Sequence, residues 1–318
     1  MSVVASQPEE IAFSCSGLWR LAHRAVPTQV KQDLFIRRLR FLLRTLQHPG
    51  LSRVWFRELS KAPLSEVVEA DFTLYRRLQQ PYLCADWPTQ RVLECVTSHY
   101  KWAAEHLPRN LFKAIYLQDE LILATWTTKR TYQLFLRHLG KTRRFRQEGE
   151  LVIELECLDQ PGELASLSGT VARDSEGRLC FYIGGLQGAI KQLGPPAIKQ
   201  AMREMQDLRP KSLMFYAVQS LARAWNCERI LAVGLGHHAY RDHKRRRLAR
   251  DPSMKFDYDA MWLESGGVLH ADGFYHMPLE TPRRSREEMK PNRRSMYVRR
   301  YAMMDEIQAQ IVGCFARQ

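Results

Sequence analysis

The chain has no C-x-x-C pair, and its seven cysteines (Cys15, Cys84, Cys95, Cys157, Cys180, Cys227 and Cys314) are dispersed over 318 residues. An odd, scattered set in a chain of this length reads as reduced thiols rather than a disulfide framework. No Cys/His group has the spacing of a structural zinc site, so no metal is expected. Apolar runs of about 18 residues are also missing, which argues against a membrane-spanning helix. Met1–Glu10 lacks a basic stretch followed by an apolar block. A cleaved secretory signal is therefore not expected, and the reading is a cytoplasmic protein, at most peripheral at the inner membrane. P-loop, nucleophile-elbow and dinucleotide fingerprints do not occur. Neither ribonucleoprotein aromatics nor a helix-turn-helix can be read, so nucleic acid is not an expected partner.

Acidic residues are in deficit, with 34 Asp and Glu against 48 Lys and Arg and a net charge of +14. The excess is local. Arg241–Arg250 sets six basic residues against Asp242, and Thr281–Arg300 sets eight against two glutamates, so these stretches hold most of it. A local positive face suits an anionic small molecule, a lipid headgroup or an acidic protein partner; a solvated loop surface accounts for it equally. A hydrophobic content of 45% is enough for a packed core and excludes a disordered chain.

Periodicity divides the chain in two. Residues 1–110 read as a helical region. In Gln29–Gln47, Leu34, Leu39, Leu42, Leu43 and Leu46 recur at helical spacing, with Lys31, Arg37, Arg38 and Arg40 largely opposite. Thr89–Leu107 repeats the pattern before Pro108. Residues 111–318 read as an α/β core with a glycine loop and a C-terminal helix. Phe112–Leu117 and Leu121–Trp126, separated by Gln118-Asp119-Glu120, suit a hairpin. Tyr132–Leu136, Leu151–Leu158, Leu167–Ala172 and Leu179–Ile183 extend it into a mainly antiparallel meander. Pro195-Pro196 and Pro210 open two helices, and Ile230–Val233 follows as an apolar strand. The last unit is strand–helix–strand, which predicts a parallel crossover with a crevice at its end. The fold class is α+β: helices first, then a mixed sheet.

Tyr182-Ile183-Gly184-Gly185-Leu186-Gln187-Gly188 ends one strand of that crossover. Glycines there leave backbone amides uncovered, and with Gln187 they orient a carbonyl or phosphate, or else they make only a bulge and a turn. Arg209 and Lys211 flank the start of the Pro210 helix, where the dipole already favours an anion; an internal carboxylate would satisfy them as well. His237 and His238 follow the next strand as candidate bases or as packed side chains. Adjacent residues on an extended segment point to opposite sides, so at most one of the two faces the crevice. Glu264, within Tyr258-Asp259-x-x-Trp262-x-Glu264, is a general base or a counterion to neighbouring arginines.

At Tyr182–Gly188, Leu208-Arg209-Pro210-Lys211, Tyr258-Asp259-x-x-Trp262-x-Glu264-x-Gly266-Gly267 and Arg299-Arg300-Tyr301-Ala302 the sequence resembles the VirK/YbjX family of bacterial proteins. The likeness spans roughly Leu34 to Phe315 and is tighter in the second half. It implies a virulence accessory protein acting on surface-protein localisation and tolerance of antimicrobial peptides, and it transfers no catalytic residue. By analogy of fold alone, the order of meander, glycine loop, helix and parallel strand is similar to a GNAT acyltransferase core. That analogy implies acyl-coenzyme A or an acyl-carrier donor. Gly184, Gly185, Gln187 and Gly188 would position the donor, Arg209 and Lys211 would hold its phosphate, and His237, His238 or Glu264 would deprotonate the acceptor. The usual pyrophosphate signature of that fold is absent at Arg209-Pro210-Lys211-Ser212.

Overall fold

The computed structural model describes residues 13–26, 33–118, 120–139, 146–190, 192–241 and 257–316. Most of the basic run Arg241–Arg250 lies outside the described residues, as do the first twelve. Helices α1 (Cys15–Ala25), α2 (Leu34–Gln47), α3 (Pro49–Leu59), α4 (Leu64–Ala70), α5 (Thr89–His106) and α6 (Arg109–Tyr116) precede the first strand, with a 3-10 helix at Phe72–Gln79. Strands follow as β1 (Leu121–Thr127), β2 (Thr131–His138), β3 (Leu151–Cys157), β4 (Gln160–Arg173) and β5 (Leu179–Gly188). Helices α7 (Gly194–Glu204) and α8 (Pro210–Ala224) then lead to β6 (Arg229–Val233). Helix α9 (Tyr258–Glu264), β7 (Val268–Leu269), β8 (Phe274–Met277) and α10 (Arg294–Phe315) close the chain.

One eight-stranded sheet runs β1-β2-β3-β4-β5-β6-β8-β7. Every pairing is antiparallel except β5–β6, where Cys180–Ile183 lies parallel to Arg229–Ala232. The molecule is thus α+β, and the crossover through α8 is the parallel one read from the sequence. The expected strand at Phe112–Leu117 is a correction: it is helix α6, and the first hairpin is β1–β2. A six-residue apolar run carries no period of its own. Here Pro108 starts a helical turn, and Phe112, Ile115 and Tyr116 are buried at helical spacing.

Packing between the helices and the sheet is continuous, with one cluster of buried side chains running from Leu18 through the sheet to Ile311. Helix α8 lies against β3–β6, α10 against α8 and β1, and α6 against β1 and β2. Helix α5 has a different role. Strand β4 runs past the start of β3, which pairs only as far as Gly169, so the following backbone groups of β4 lack a neighbour on that side. Ser98 and His99 of α5 supply one: Arg173 N donates to Ser98 Oγ (2.9 Å), and His99 Nδ1 lies 3.2 Å from Val171 O. A helix has replaced a strand at that edge, as buried backbone polarity demands.

The same seam holds a buried ion pair. Glu150, just before β3, takes the Arg77 guanidinium from the 3-10 helix at 2.7 and 2.8 Å. Tyr100 Oη donates to its other face at 2.6 Å, and His138 stands 3.6 Å away. Burial alone would raise the Glu150 carboxyl; Arg77, helped by His138 and His99, outweighs it and holds the group down to about 2. Burial pushes the neighbouring His99 down to about 4, so that imidazole is neutral and bridges Tyr116 Oη at 2.8 Å. Removing one partner of such a pair leaves the other charge buried, at a cost of about 3–5 kcal/mol. Glu150→Gln should therefore lower the urea-denaturation free energy by about that amount, whereas Glu150→Gln combined with Arg77→Met should recover part of the loss. Equal losses in the single and double variants would refute the pairing.

Candidate functional site

The glycine segment is not a loop. Gly184, Gly185 and Gly188 belong to β5, and the register steps from Gly169↔Ile183 to Ser168↔Gly185, which leaves Gly184 as a bulge. The bulge has a local cause. A Cβ at Gly184 would fall on the Glu148 carbonyl, and one at Gly185 on the Glu148 carboxylate. Glycine is required because buried Glu148 is pressed against the strand; these two positions are not open to a guest. Gly188 differs, since a Cβ there would stand 3.3 Å from Lys211 Cε, the far part of a flexible side chain.

Glu148 organises a second polar cluster, which the sequence reading missed. Its carboxylate accepts from Ser168 Oγ at 2.7 Å and faces His238 Nε2 at 3.5 Å. Tyr240 N donates to His238 Nδ1 (3.3 Å), which puts the proton of the neutral ring on Nε2, and the Gly184 backbone is a further partner of the ring. The ring lies between Tyr240 and Tyr258 at centroid distances of 5.6 and 5.3 Å. Burial lowers His238 to about 4, so it is neutral near pH 7. The two histidines do point apart. His238 is fully buried, while the His237 side chain is 44% exposed and meets Asp86 at 2.5 Å.

Where β6 ends, α9 fills the crevice. Tyr258 Oη takes the Leu186 amide (3.4 Å) and the Gln187 side-chain amide (2.8 Å). Trp262 Nε1 donates to Val233 O at 3.0 Å. Gln187 is thus occupied by Tyr258, and the strand edge that an acyl donor would use in a GNAT core is covered by side chains of this chain.

An open pocket lies beside this plug. A cavity of about 470 Å³ is lined by Leu164, Gly188, Ile198, Met202, Lys211 and Met261, with Arg209, Glu264 and Asp257 also on its wall. Four of the nine residues singled out from sequence (Gly188, Arg209, Lys211 and Glu264) meet here; Gly184, Gly185, Gln187, His237 and His238 do not. Glu264 neutralises Arg209 across 3.0 Å, both side chains being more than half exposed. Asp257 caps α9 by accepting from the Ala260 amide (3.0 Å). Lys211 sits in the first turn of α8 among apolar neighbours, and burial pushes its ammonium down to about 8. The pocket is an apolar slot with one weakened cation and a helix N-terminus at its wall.

Several basic residues of Thr281–Arg300 are engaged within the chain. Arg299 donates to Gln206 Oε1 (3.0 Å), Arg300 to Gln206 O (2.8 Å), and Arg283 pairs with Asp305 at 2.9 Å. Arg284 and Arg300 lie over the Tyr297 ring.

Fold and pocket define an α+β protein with an apolar slot beside a plugged strand crossover. Residues 31–312 match the family described as "Protein of unknown function (DUF535)", and the chain belongs to that family. It is 32% identical over 279 residues to the uncharacterized protein YbjX of Escherichia coli (strain K12), which covers 87% of this chain and 83% of that one. It is also 26% identical over 215 residues to an uncharacterized protein of Haemophilus influenzae, 68% of each. These matches bear out the VirK/YbjX resemblance.

The glycines give a direct test of this geometry. Gly184→Ala should destabilise the protein by about 1–3 kcal/mol, the usual cost of forcing a side chain into a packed backbone, because backbone must move to admit it. Gly188→Ala should stay within about 0.5 kcal/mol, since Lys211 can swing aside. Matched thermal melts of the two variants would contradict the placement of Glu148.

Proposed function

We propose that this protein binds an anionic amphiphile, an acyl chain whose head is a carboxylate or carries phosphate, as the carrier of an acyl thioester does, in the slot between α7, α8 and α9. The observation that carries the reading is the Lys211 amine, set in an apolar pocket at the start of α8 with its acidity raised by burial. An apolar wall favours a chain, and the ammonium with the first amides of α8 favours its head. Acyl-coenzyme A and an acyl-carrier thioester are the donors of this chemistry. Were the bound group transferred, Glu264 is the candidate base placed at the pocket. The family resemblance supports a bacterial accessory role in surface-protein localisation and antimicrobial-peptide tolerance, in which an acyl- or lipid-handling step fits.

Calorimetry with palmitoyl-coenzyme A and with palmitate tests it. Lys211→Ala should weaken binding about ten- to a hundredfold, the worth of a hydrogen bond to a charged group. The ammonium is the binding form, so wild-type affinity should fall as pH rises through about 8. The reading fails if neither ligand binds, or if binding is unmoved by Lys211→Ala.

A second reading, a non-catalytic adaptor on an anionic membrane, rests on α2. Phe35, Ile36, Leu39, Leu43 and Leu46 are all more than 40% exposed, and at 100° per residue they form one stripe. Phe41 and Thr45 are the buried side of the same helix. Arg37 and Arg40, both exposed, lie beyond the stripe, a pattern suited to lying in a lipid interface with the cations at the headgroups. Vesicles rich in phosphatidylglycerol should float the protein at low salt, and less of it at high salt. Leu39→Asp with Leu43→Asp should abolish flotation while leaving palmitoyl-coenzyme A binding intact. Wild-type protein that stays at the bottom of the gradient removes this reading.

A further inference from the structure

Two segments remote in sequence form a short ladder beside the β5–β6 crossover. Ala85 N donates to His237 O at 2.7 Å, Ala239 N donates to Leu83 O at 3.1 Å, and Cys84 bridges His238. The ladder fixes three donor atoms against one another. The Cys84 thiol, an Asp86 carboxylate oxygen and a His237 ring nitrogen all lie within 4.8 Å of each other. Around them the fold is shaped to keep the group. Trp87 N closes a turn onto Cys84 O at 3.3 Å, which holds Cys84 and Asp86 at the end of the ladder. Gly273 lies under the His237 ring, where a Cβ would stand 2.6 Å from two ring carbons, so only glycine leaves the imidazole its place. Cys84 is buried, whereas Asp86 and His237 are 59% and 44% exposed, so the cluster opens to solvent on one side.

We propose that Cys84, Asp86 and His237 form a binding site for a borderline-soft divalent cation of the Zn²⁺ class, with a fourth position left for water or a ligand group. A surface histidine–aspartate pair explains the 2.5 Å contact between His237 and Asp86. It does not explain why a thiol stands within 4.8 Å of both. Thiolate, imidazole and carboxylate together are the donor set of such cations, and three protein ligands with an open position are the pattern of sites that act on a bound molecule. Tetrahedral coordination with bonds of about 2.0–2.3 Å spaces donors by about 3.3–3.7 Å. The carboxylate and imidazole therefore part by about 1 Å to admit the ion, a movement open to two exposed side chains. Loading releases the thiol proton, so affinity rises with pH. The site is independent of the pocket between α7 and α9.

Full-length, tag-free, reduced and metal-stripped protein is titrated with Co²⁺ and then Zn²⁺. The expected result is one equivalent of Co²⁺ bound, with a near-ultraviolet thiolate-to-cobalt band that Zn²⁺ bleaches. Cys84→Ser should lose the band, and His237→Ala and Asp86→Asn should each weaken affinity at least tenfold, about 1.4 kcal/mol. Cys84 is buried, so circular dichroism confirms that its variant is folded; should it not fold, the two exposed-side variants decide alone. A wild-type protein that binds no stoichiometric Co²⁺ overturns the proposal. So does a cobalt site whose affinity is unchanged in both His237→Ala and Asp86→Asn.

Discussion

Two buried carboxylates, separated by a single glycine, hold this structure together. Glu150 turns to the helices and takes Arg77 and Tyr100; Glu148 turns to the crossover and takes Ser168 and faces His238. Between them Gly149 adopts φ 155°, and a Cβ there would fall on the Gly169 backbone. The glycine lets the chain pass close to β4 while its neighbours diverge. Charges so deeply buried are tolerated only when paired or hydrogen-bonded, so this tripeptide dictates what must surround it. Arg77 must come from the 3-10 helix, and β5 must present glycine to Glu148.

That constraint explains an arrangement otherwise suggestive of a ligand loop. Three glycines after an apolar strand look like a cradle for phosphate. Two of them instead make room for Glu148 of the same chain, Gly184 for its backbone carbonyl and Gly185 for its carboxylate. Helix α9 completes the closure, with Tyr258 and Trp262 bonded to the ends of β5 and β6. The crossover is thus a structural joint, and space for a guest opens one step outward, where Gly188 and Lys211 face apolar side chains.

Much of the sheet was legible because its signals are local. Alternation marked β3, Asp174-Ser175-Glu176-Gly177 marked the β4–β5 turn and the strands flanking it, and Pro210 marked α8. Helix α6 was not legible, since Phe112–Leu117 is too short for its period to separate helix from strand. The candidate site was half legible. Arg209, Lys211, Gly188 and Glu264 carry charge or backbone freedom beside a helix start, and that is a local property. Glu148 gives no local sign of burial; its partners are Ser168, twenty residues on, and His238, ninety residues on. The outward face of α2 escaped for the converse reason. Its leucines recur as a core-facing stripe would, and amphipathicity alone does not say whether the partner is protein or lipid.

The histidine pair shows how one backbone fact divides two chemistries. His238 is a single extended residue between two 3-10 turns, Leu235–His237 and Ala239–Arg241, and bridges Cys84; at that break its ring goes inward while the His237 ring stays outside. The inward ring is stacked between tyrosines, neutral through burial, and set against Glu148, where it can hold a proton but cannot meet solvent. The outward ring stays accessible and stands next to a carboxylate and a thiol. A base for solution chemistry needs access, and a packing element needs burial; the ladder gives each histidine one of these and denies it the other. The accessible donors at this end of the sheet are therefore Asp86 and His237, with the Cys84 thiol buried beside them, while His238 packs on the inner face.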